Sequence, residues 1–110
     1  MTEKYQISVM PRAERDIEAI FSWLLDRSPT GARNWLAALD DALERMSLDP
    51  LSFGLAPEAQ TVARELRQCL FRTRKGRTYR AIYLFEREVV IVLRIRGPGQ
   101  PSLESDEVDK

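Results

Sequence analysis

Residues 78–96 read TYRAIYLFEREVVIVLRIR, and this stretch decides the fold. Two runs rich in β-branched and aromatic residues, 78–85 and 89–96, flank the charged triplet 86–88, which is the pattern of two antiparallel strands joined by a tight turn. Strict alternation predicts that Val89, Ile91, Leu93 and Ile95 face one way and that Val90, Val92, Arg94 and Arg96 face the other. One face is therefore core, and the other becomes basic toward its end.

A third strand is predicted just upstream, from Arg64 to Arg72. The turn between this strand and the next, residues 73–77, contains Gly76, which can supply a positive φ. Residues 50–62 mix proline, glycine and apolar side chains without a period, so we expect a packed loop there. The three strands together form a C-terminal meander.

The N-terminal part of the chain predicts one more strand and a helical hairpin. Tyr5–Val9 alternates apolar and polar residues and ends before Pro11. Two apolar stripes with helical spacing occupy about residues 12–48, and Ser28 closes one helix and begins the next. This order predicts an α+β fold in which an antiparallel β-sheet, the N-terminal strand plus the C-terminal meander, packs on the α-helical hairpin. The other face of the sheet is expected to be partly bare.

The composition excludes several kinds of chemistry. The 110 residues include one cysteine, Cys69, and no histidine, which excludes histidine-based nucleophile arrangements and imidazole metal sites. We expect no metal and no cofactor, and any catalysis would have to use Arg, Lys, Tyr or carboxylates. No apolar run approaches the roughly 20 residues that span a bilayer, and Met1–Lys4 starts no hydrophobic leader. We therefore expect a cytoplasmic protein that contacts no membrane.

Charge is unevenly distributed although the net charge is zero. Residues 63–99 carry 10 basic and 3 acidic side chains, whereas residues 1–62 carry 6 and 10. Such a block could clamp phosphates or dock an acidic peptide, and a solvated sheet face is the simpler alternative. The candidate side chains are Arg72, Arg74, Lys75, Arg77, Arg80, Arg94 and Arg96, with Tyr79 among them either as a binding residue or as a packing residue.

Several stretches resemble the RelE/ParE superfamily of toxins from bacterial type II toxin–antitoxin systems. Residues 5–17 are similar to its opening strand and first helix, 28–32 to its hairpin turn, 76–83 to a central strand, and 89–97 to its closing strand. The resemblance covers about residues 5–99. It implies a single toxin domain over residues 1–99, followed by an acidic tail over residues 100–110 that we expect to be mobile or weakly attached.

The resemblance implies a growth-inhibiting protein, as in plasmid stabilization systems, that a cognate antitoxin neutralises by direct binding. Operator DNA would be contacted only through that antitoxin. RelE-like members cleave messenger RNA on the ribosome without a metal, whereas ParE-like members poison DNA gyrase. Arg80 matches the RelE-like arginine that contacts the scissile phosphate, with Lys75 and Arg77 as further catalytic candidates if the chain is RelE-like.

Residues after Arg96 depart from the RelE-like pattern. That pattern has a second arginine and then a C-terminal tyrosine, and neither residue type occurs here after Arg96. We therefore predict a non-nucleolytic, ParE-like toxin whose target is DNA gyrase. The alternatives are a ribosome-dependent mRNA endoribonuclease and an inactive relative that only binds protein. Target or antitoxin binding is assigned to Arg72, Arg74, Tyr79, Arg94 and Arg96, with an amphipathic antitoxin segment lying across the basic sheet and against the hairpin.

Overall fold

The computed structural model describes residues 3–62 and 64–109. Met1 and Thr2 of the predicted N-terminus, and Lys110 at the end of the predicted tail, lie outside the described residues, as does Ala63. In chain order the elements are β1 (Gln6–Val9), α1 (Pro11–Arg27), α2 (Pro29–Leu48), α3 (Ala59–Val62), β2 (Arg67–Phe71), β3 (Tyr79–Glu86), β4 (Val89–Arg96) and a final 3₁₀ turn (Ser105–Val108).

The helical hairpin forms as predicted because both helices have a proline in the first turn and share one capping residue. Ser28 ends α1, and its hydroxyl accepts a hydrogen bond from the Gly31 N–H at 3.0 Å to start α2. The apolar stripes of α1 and α2 cover one face of the sheet. The core there includes Ala13, Trp35, Leu39, Met46, Cys69, Phe71, Ala81, Tyr83, Val90, Val92 and Ile95.

The sheet has four strands in the order β1-β4-β3-β2, and it is mixed. The meander β2-β3-β4 is antiparallel, as predicted. β1 instead pairs with β4 in parallel, so the expectation of a fully antiparallel sheet is wrong at this edge. The physical reason lies in the connection: α1 and α2 run in opposite directions, and residues 49–66 then return the chain, so that β2 and β4 both run in the direction of β1.

A β-bulge changes which side chains of β4 face the hairpin. Tyr83 pairs with Val92 and Ile82 pairs with Arg94, so Leu93 is an extra residue on β4. Before the bulge, Val90 and Val92 face the helices. The bulge shifts the alternation by one residue, so that after it Ile95 faces the helices as well. The predicted grouping of Val90 and Val92 with Arg94 and Arg96 is wrong for this reason.

The turns between the strands also differ from the prediction. Positive φ occurs at Arg87 (52°) and Glu88 (64°) between β3 and β4, whereas Gly76 does not adopt it. Gly76 instead makes a close approach: a Cβ there would meet the Oγ1 atom of Thr73, which would have to rotate away, and the Gly76 N–H donates to the Thr73 carbonyl at 3.1 Å. The predicted positive φ at Gly76 is therefore wrong, and this glycine instead allows the turn to pack closely against Thr73.

The second face of the sheet is covered, so the expected bare face does not exist. Residues predicted as a loop contain α3, and Leu55 forms an isolated bridge with Arg67. The tail, expected to be mobile or weakly attached, instead returns across the sheet, because its two apolar residues, Leu103 and Val108, find a place in the core. This second core consists of Ala56, Leu66, Ile82, Leu84, Leu93, Leu103 and Val108.

None of the helices in residues 3–62 and 64–109 is both long enough and apolar enough to cross a lipid bilayer.

Candidate functional site

A groove of about 1000 Å³ lies between the helical hairpin and the turn that joins β2 to β3. We call it the hairpin groove. It is formed by the second half of α1, the start of α2, the basic turn 73–77 and the segment that follows β4. Its lining residues include Ile20, Trp23, Leu24, Ser28, Gly31, Trp35, Thr73, Arg74, Lys75, Gly76, Arg77, Tyr79, Gly97 and Pro98.

The apolar side of the hairpin groove is built from aromatic residues. Trp35, which is buried, packs edge-on against Tyr79 with ring centroids 5.5 Å apart. Trp23 on α1 is 54% exposed, and the Arg27 guanidinium lies 3.6 Å from its ring centroid. Tryptophan is one of the residue types enriched among the hot spots that dominate protein–protein binding energy.

The other side of the hairpin groove is positively charged. Arg74, Lys75 and Arg77 are exposed, and the N-terminus of α2 adds partial positive charge. Among the described residues that line the groove, none is a carboxylate. The groove therefore suits an elongated ligand with an apolar face and negative charges.

Arg80, the predicted phosphate-binding residue, lies outside the hairpin groove and is engaged within the protein. Its two terminal nitrogens donate to the two carboxylate oxygens of Glu58 at 2.8 and 2.6 Å, and Gln68 accepts a third bond at 3.2 Å. The Glu58 carboxylate is buried and also accepts from the Leu103 N–H. The hydrogen bonds from Arg80 lower the pKa of Glu58 to about 2, so this pair is ionised at neutral pH.

Arg94 and Arg96 are likewise held by the protein itself. Arg94 donates two hydrogen bonds to the Asp16 carboxylate of α1, at 2.7 and 3.0 Å, and these bonds raise the pKa of Arg94. Arg96 is buried, which lowers its pKa, and it donates to the Pro101 carbonyl. The expectation that these side chains are presented on an open sheet face is wrong, because the tail and α1 cover that part of the sheet.

The predicted residues thus fall into two groups. Arg74, Lys75, Arg77 and Tyr79 meet in the hairpin groove, while Arg72 is exposed beyond the end of β2 and does not line it. Arg80, Arg94 and Arg96 form ion pairs or hydrogen bonds on the second face. Sequence reasoning missed Trp23, although a tryptophan lying off the apolar stripe of α1 is a signal that could have identified it.

No group of three or more Cys, Asp or Glu side chains among residues 3–62 and 64–109 has an arrangement that could hold a metal ion.

Comparison with known proteins agrees with this architecture. A chain of the crystal structure of the toxin–antitoxin complex RelBE2 from Mycobacterium tuberculosis is similar in fold, with a TM-score of 0.51 and 22% identity over 86% of this chain and 98% of that chain. No curated protein is significantly similar in sequence. The family model described as ParE toxin of type II toxin–antitoxin system, parDE, matches residues 7–100. The predicted resemblance is therefore confirmed, and the chain belongs to the ParE toxin family of type II toxin–antitoxin systems.

Proposed function

We propose that this toxin inhibits growth by binding a macromolecular target, with DNA gyrase as that target, and that it does not cleave RNA. The observation that carries the proposal is the ion pair between Arg80 and Glu58. A guanidinium that contacts a scissile phosphate must present its N–H groups to the substrate. In this protein the two terminal nitrogens of Arg80 are already bound to a carboxylate.

Breaking that pair to free Arg80 for a phosphate is unfavourable. The Glu58 carboxylate is buried, and removing one partner of a buried ion pair leaves an uncompensated charge at a cost of about 3 kcal/mol or more. The second arginine and the tyrosine of the RelE-like pattern are also absent after Arg96. Losing one preorganised charge-stabilising donor typically lowers a rate by about a hundredfold. Binding without cleavage is therefore the activity that these residues support best.

The proposal is tested by inducing the toxin without its antitoxin. We expect cells to stop dividing, to form filaments and to accumulate DNA damage, and we expect the purified protein to inhibit supercoiling by DNA gyrase. Primer extension on messenger RNA from the same cells should show no new cleavage sites. Rapid arrest of translation with intact DNA, together with cleavage that Arg80→Ala abolishes, would establish the ribonuclease alternative instead.

We further propose that the cognate antitoxin places an acidic, amphipathic segment in the hairpin groove. The predicted surface for that segment is the basic sheet together with the helical hairpin, but both faces of the sheet are packed. The groove offers the required combination of apolar surface at Trp23 and positive charge at Arg77. The similarity in fold to a toxin crystallised with its antitoxin is consistent with such a partner.

Two substitutions test the antitoxin site. Trp23→Ala should weaken antitoxin binding by on the order of 30-fold or more, as for an interface hot spot. Arg77→Glu should weaken it in a way that depends on salt concentration. Arg33→Glu, on an exposed position of α2 that does not line the groove, is the matched control. If neither groove variant changes the affinity measured by calorimetry, the antitoxin binds elsewhere.

A further inference from the structure

The outer edge of β2 is only partly paired. β2 is the last strand of the sheet, so one of its edges has no neighbouring strand. The chain covers the first half of this edge with its own segment 54–56: the Ala56 N–H donates to the Leu66 carbonyl at 2.7 Å, and the Gln68 N–H donates to the Gly54 carbonyl at 3.1 Å. That segment makes no such bond beyond Gln68.

The remaining half of the edge has backbone groups available for pairing. Because the outward groups alternate along a strand, and Leu66 and Gln68 point outward, the Leu70 N–H and carbonyl point outward as well. Among the described residues, none accepts a hydrogen bond from the Leu70 N–H, and the carbonyl receives two long ones, 3.5 Å from Arg45 and 3.8 Å from the Cys69 thiol. This is an open position in a β-ladder.

The surface beside this position is apolar. The Leu70 side chain is 52% exposed, and with Phe53, Gly54, Gln68 and Arg45 it lines a pocket of about 370 Å³. Leu51 and Leu55 in the adjoining segment are also more than half exposed. A pocket at a free strand edge can receive alternate side chains of an added strand, which is how such additions become selective.

Charge restricts what kind of segment fits. Residues 66–85 contain six Lys or Arg and no Asp or Glu, and β2 continues directly into the basic turn 73–77. A second copy of this edge would bring one positively charged segment against another, which is electrostatically unfavourable. The exposed cations Arg72, Arg74, Lys75 and Arg77 follow shortly after Leu70, so an acidic segment that extends past Leu70 would be attracted to them. A helix would leave the open hydrogen-bonding groups unused.

We propose that the free edge of β2 at Leu70 binds an extended, acidic segment of a partner protein as a fifth strand, with one of its apolar side chains in the pocket beside Arg45. This contact is separate from the hairpin groove, because Leu70 does not line that groove. It does not depend on whether the toxin acts on DNA gyrase.

The test uses a short synthetic peptide in which valine and glutamate alternate, added to the isotope-labelled full-length protein. We expect chemical-shift changes at Gln68 and Leu70 and slower exchange of the Leu70 amide proton. Leu70→Pro should weaken binding by roughly five- to tenfold, because it removes one outward N–H without removing a bond to β3. Leu70→Thr keeps that N–H and should weaken binding less.

Two controls decide the outcome even if Leu70→Pro does not fold. The same peptide with alternate backbone amides methylated should lose binding to the unaltered protein, and Trp23→Ala in the hairpin groove should bind the original peptide normally. Equal binding of the methylated peptide, or shift changes confined to residues 20–24, would overturn the proposal. So would protection of Leu70 at high protein concentration without peptide, which would identify a second copy as the occupant.

Discussion

At the scale of single residues, the ion pair between Arg80 and Glu58 determines what the second face of the sheet can do. A strand arginine beside a basic turn suggests a phosphate ligand, and the sequence alone gives no reason to connect it with a glutamate 22 residues earlier. The connection exists because the segment that contains α3 crosses the sheet and brings Glu58 over β3. The carboxylate then occupies the position that a phosphate would need.

This pair predicts how stability depends on pH. The folded state lowers the pKa of Glu58 from its usual 4.5 to about 2, so the stabilisation is complete above pH 4.5 and is lost as the pH falls toward 2. Glu58→Gln should lower the free energy of unfolding at neutral pH by about 3 kcal/mol and should flatten this acid dependence. Urea unfolding of both proteins at neutral and acidic pH measures the difference.

Glu44→Gln is the matched control, since Glu44 pairs with Lys4 at the exposed surface. It should cost less than about 1 kcal/mol. An unchanged acid dependence in Glu58→Gln would show that the pair does not contribute to stability.

Tyr83 makes a second buried polar contact of this kind. Its hydroxyl donates to the Pro50 carbonyl, and burial raises its pKa well above the usual range. Tyr83→Phe should lower the free energy of unfolding by about 1 kcal/mol, because the carbonyl loses its donor. Thermal unfolding measures this loss. Tyr5→Phe, on a partly exposed ring, is the control and should leave the stability unchanged in the same experiment. A neutral Tyr83→Phe would mean that water replaces the hydroxyl.

At the scale of elements, the turn between β3 and β4 combines a common geometry with unusual residues. Arg87 and Glu88 both have positive φ, which a type I′ hairpin turn requires and which asparagine and glycine adopt more easily. Replacing the pair by Asn-Gly should raise the free energy of unfolding by about 1 kcal/mol. Arg87→Ala with Glu88→Ala keeps the unfavourable conformation and should give no gain; equal stabilisation by both pairs would refute the backbone explanation.

The elements also show where prediction from sequence succeeds. The helical hairpin and the meander were predictable because their signals are local: period, capping at Ser28 and alternation. The bulge at Leu93 was not, because it depends on how β4 fits against β3 and leaves no mark in the alternation itself. One side of the hairpin groove, the basic turn, was predictable, and the aromatic side was not. Its cations belong to one turn, but Trp23 and Trp35 join them only through tertiary packing.

At the scale of the whole molecule, the tail completes the domain. Leu103 and Val108 close the second core, and Arg12 of α1 and Arg94 of β4 donate to the Asp106 and Glu107 carbonyls. The acidic composition of residues 100–110 predicts a mobile or weakly attached tail, because the two apolar residues within it form no recognisable pattern. The tail is held in place because it covers the apolar second face of the sheet, which would otherwise be exposed to water.

This packing predicts that the tail is needed for stability. Leu103→Ala should lower the free energy of unfolding by about 3 kcal/mol, as for a leucine removed from a core. A chain ending at Gln100 should lose more, and it should bind a dye that reports exposed apolar surface. Ser102→Ala, at an exposed position next to Leu103, serves as the control. If the shortened chain has the same free energy of unfolding as the full-length chain, the second core does not need the tail.

The parallel pairing of β1 with β4 has a consequence during protein synthesis. β1 is made before the helical hairpin, but β4, its neighbour in the described part of the sheet, is made only after the hairpin, β2 and β3. The hairpin groove likewise needs Gly97 and Pro98 as well as α1. A nascent chain, or a fragment released from a stalled message, that stops before β4 therefore carries the helices without a complete sheet and without a complete hairpin groove.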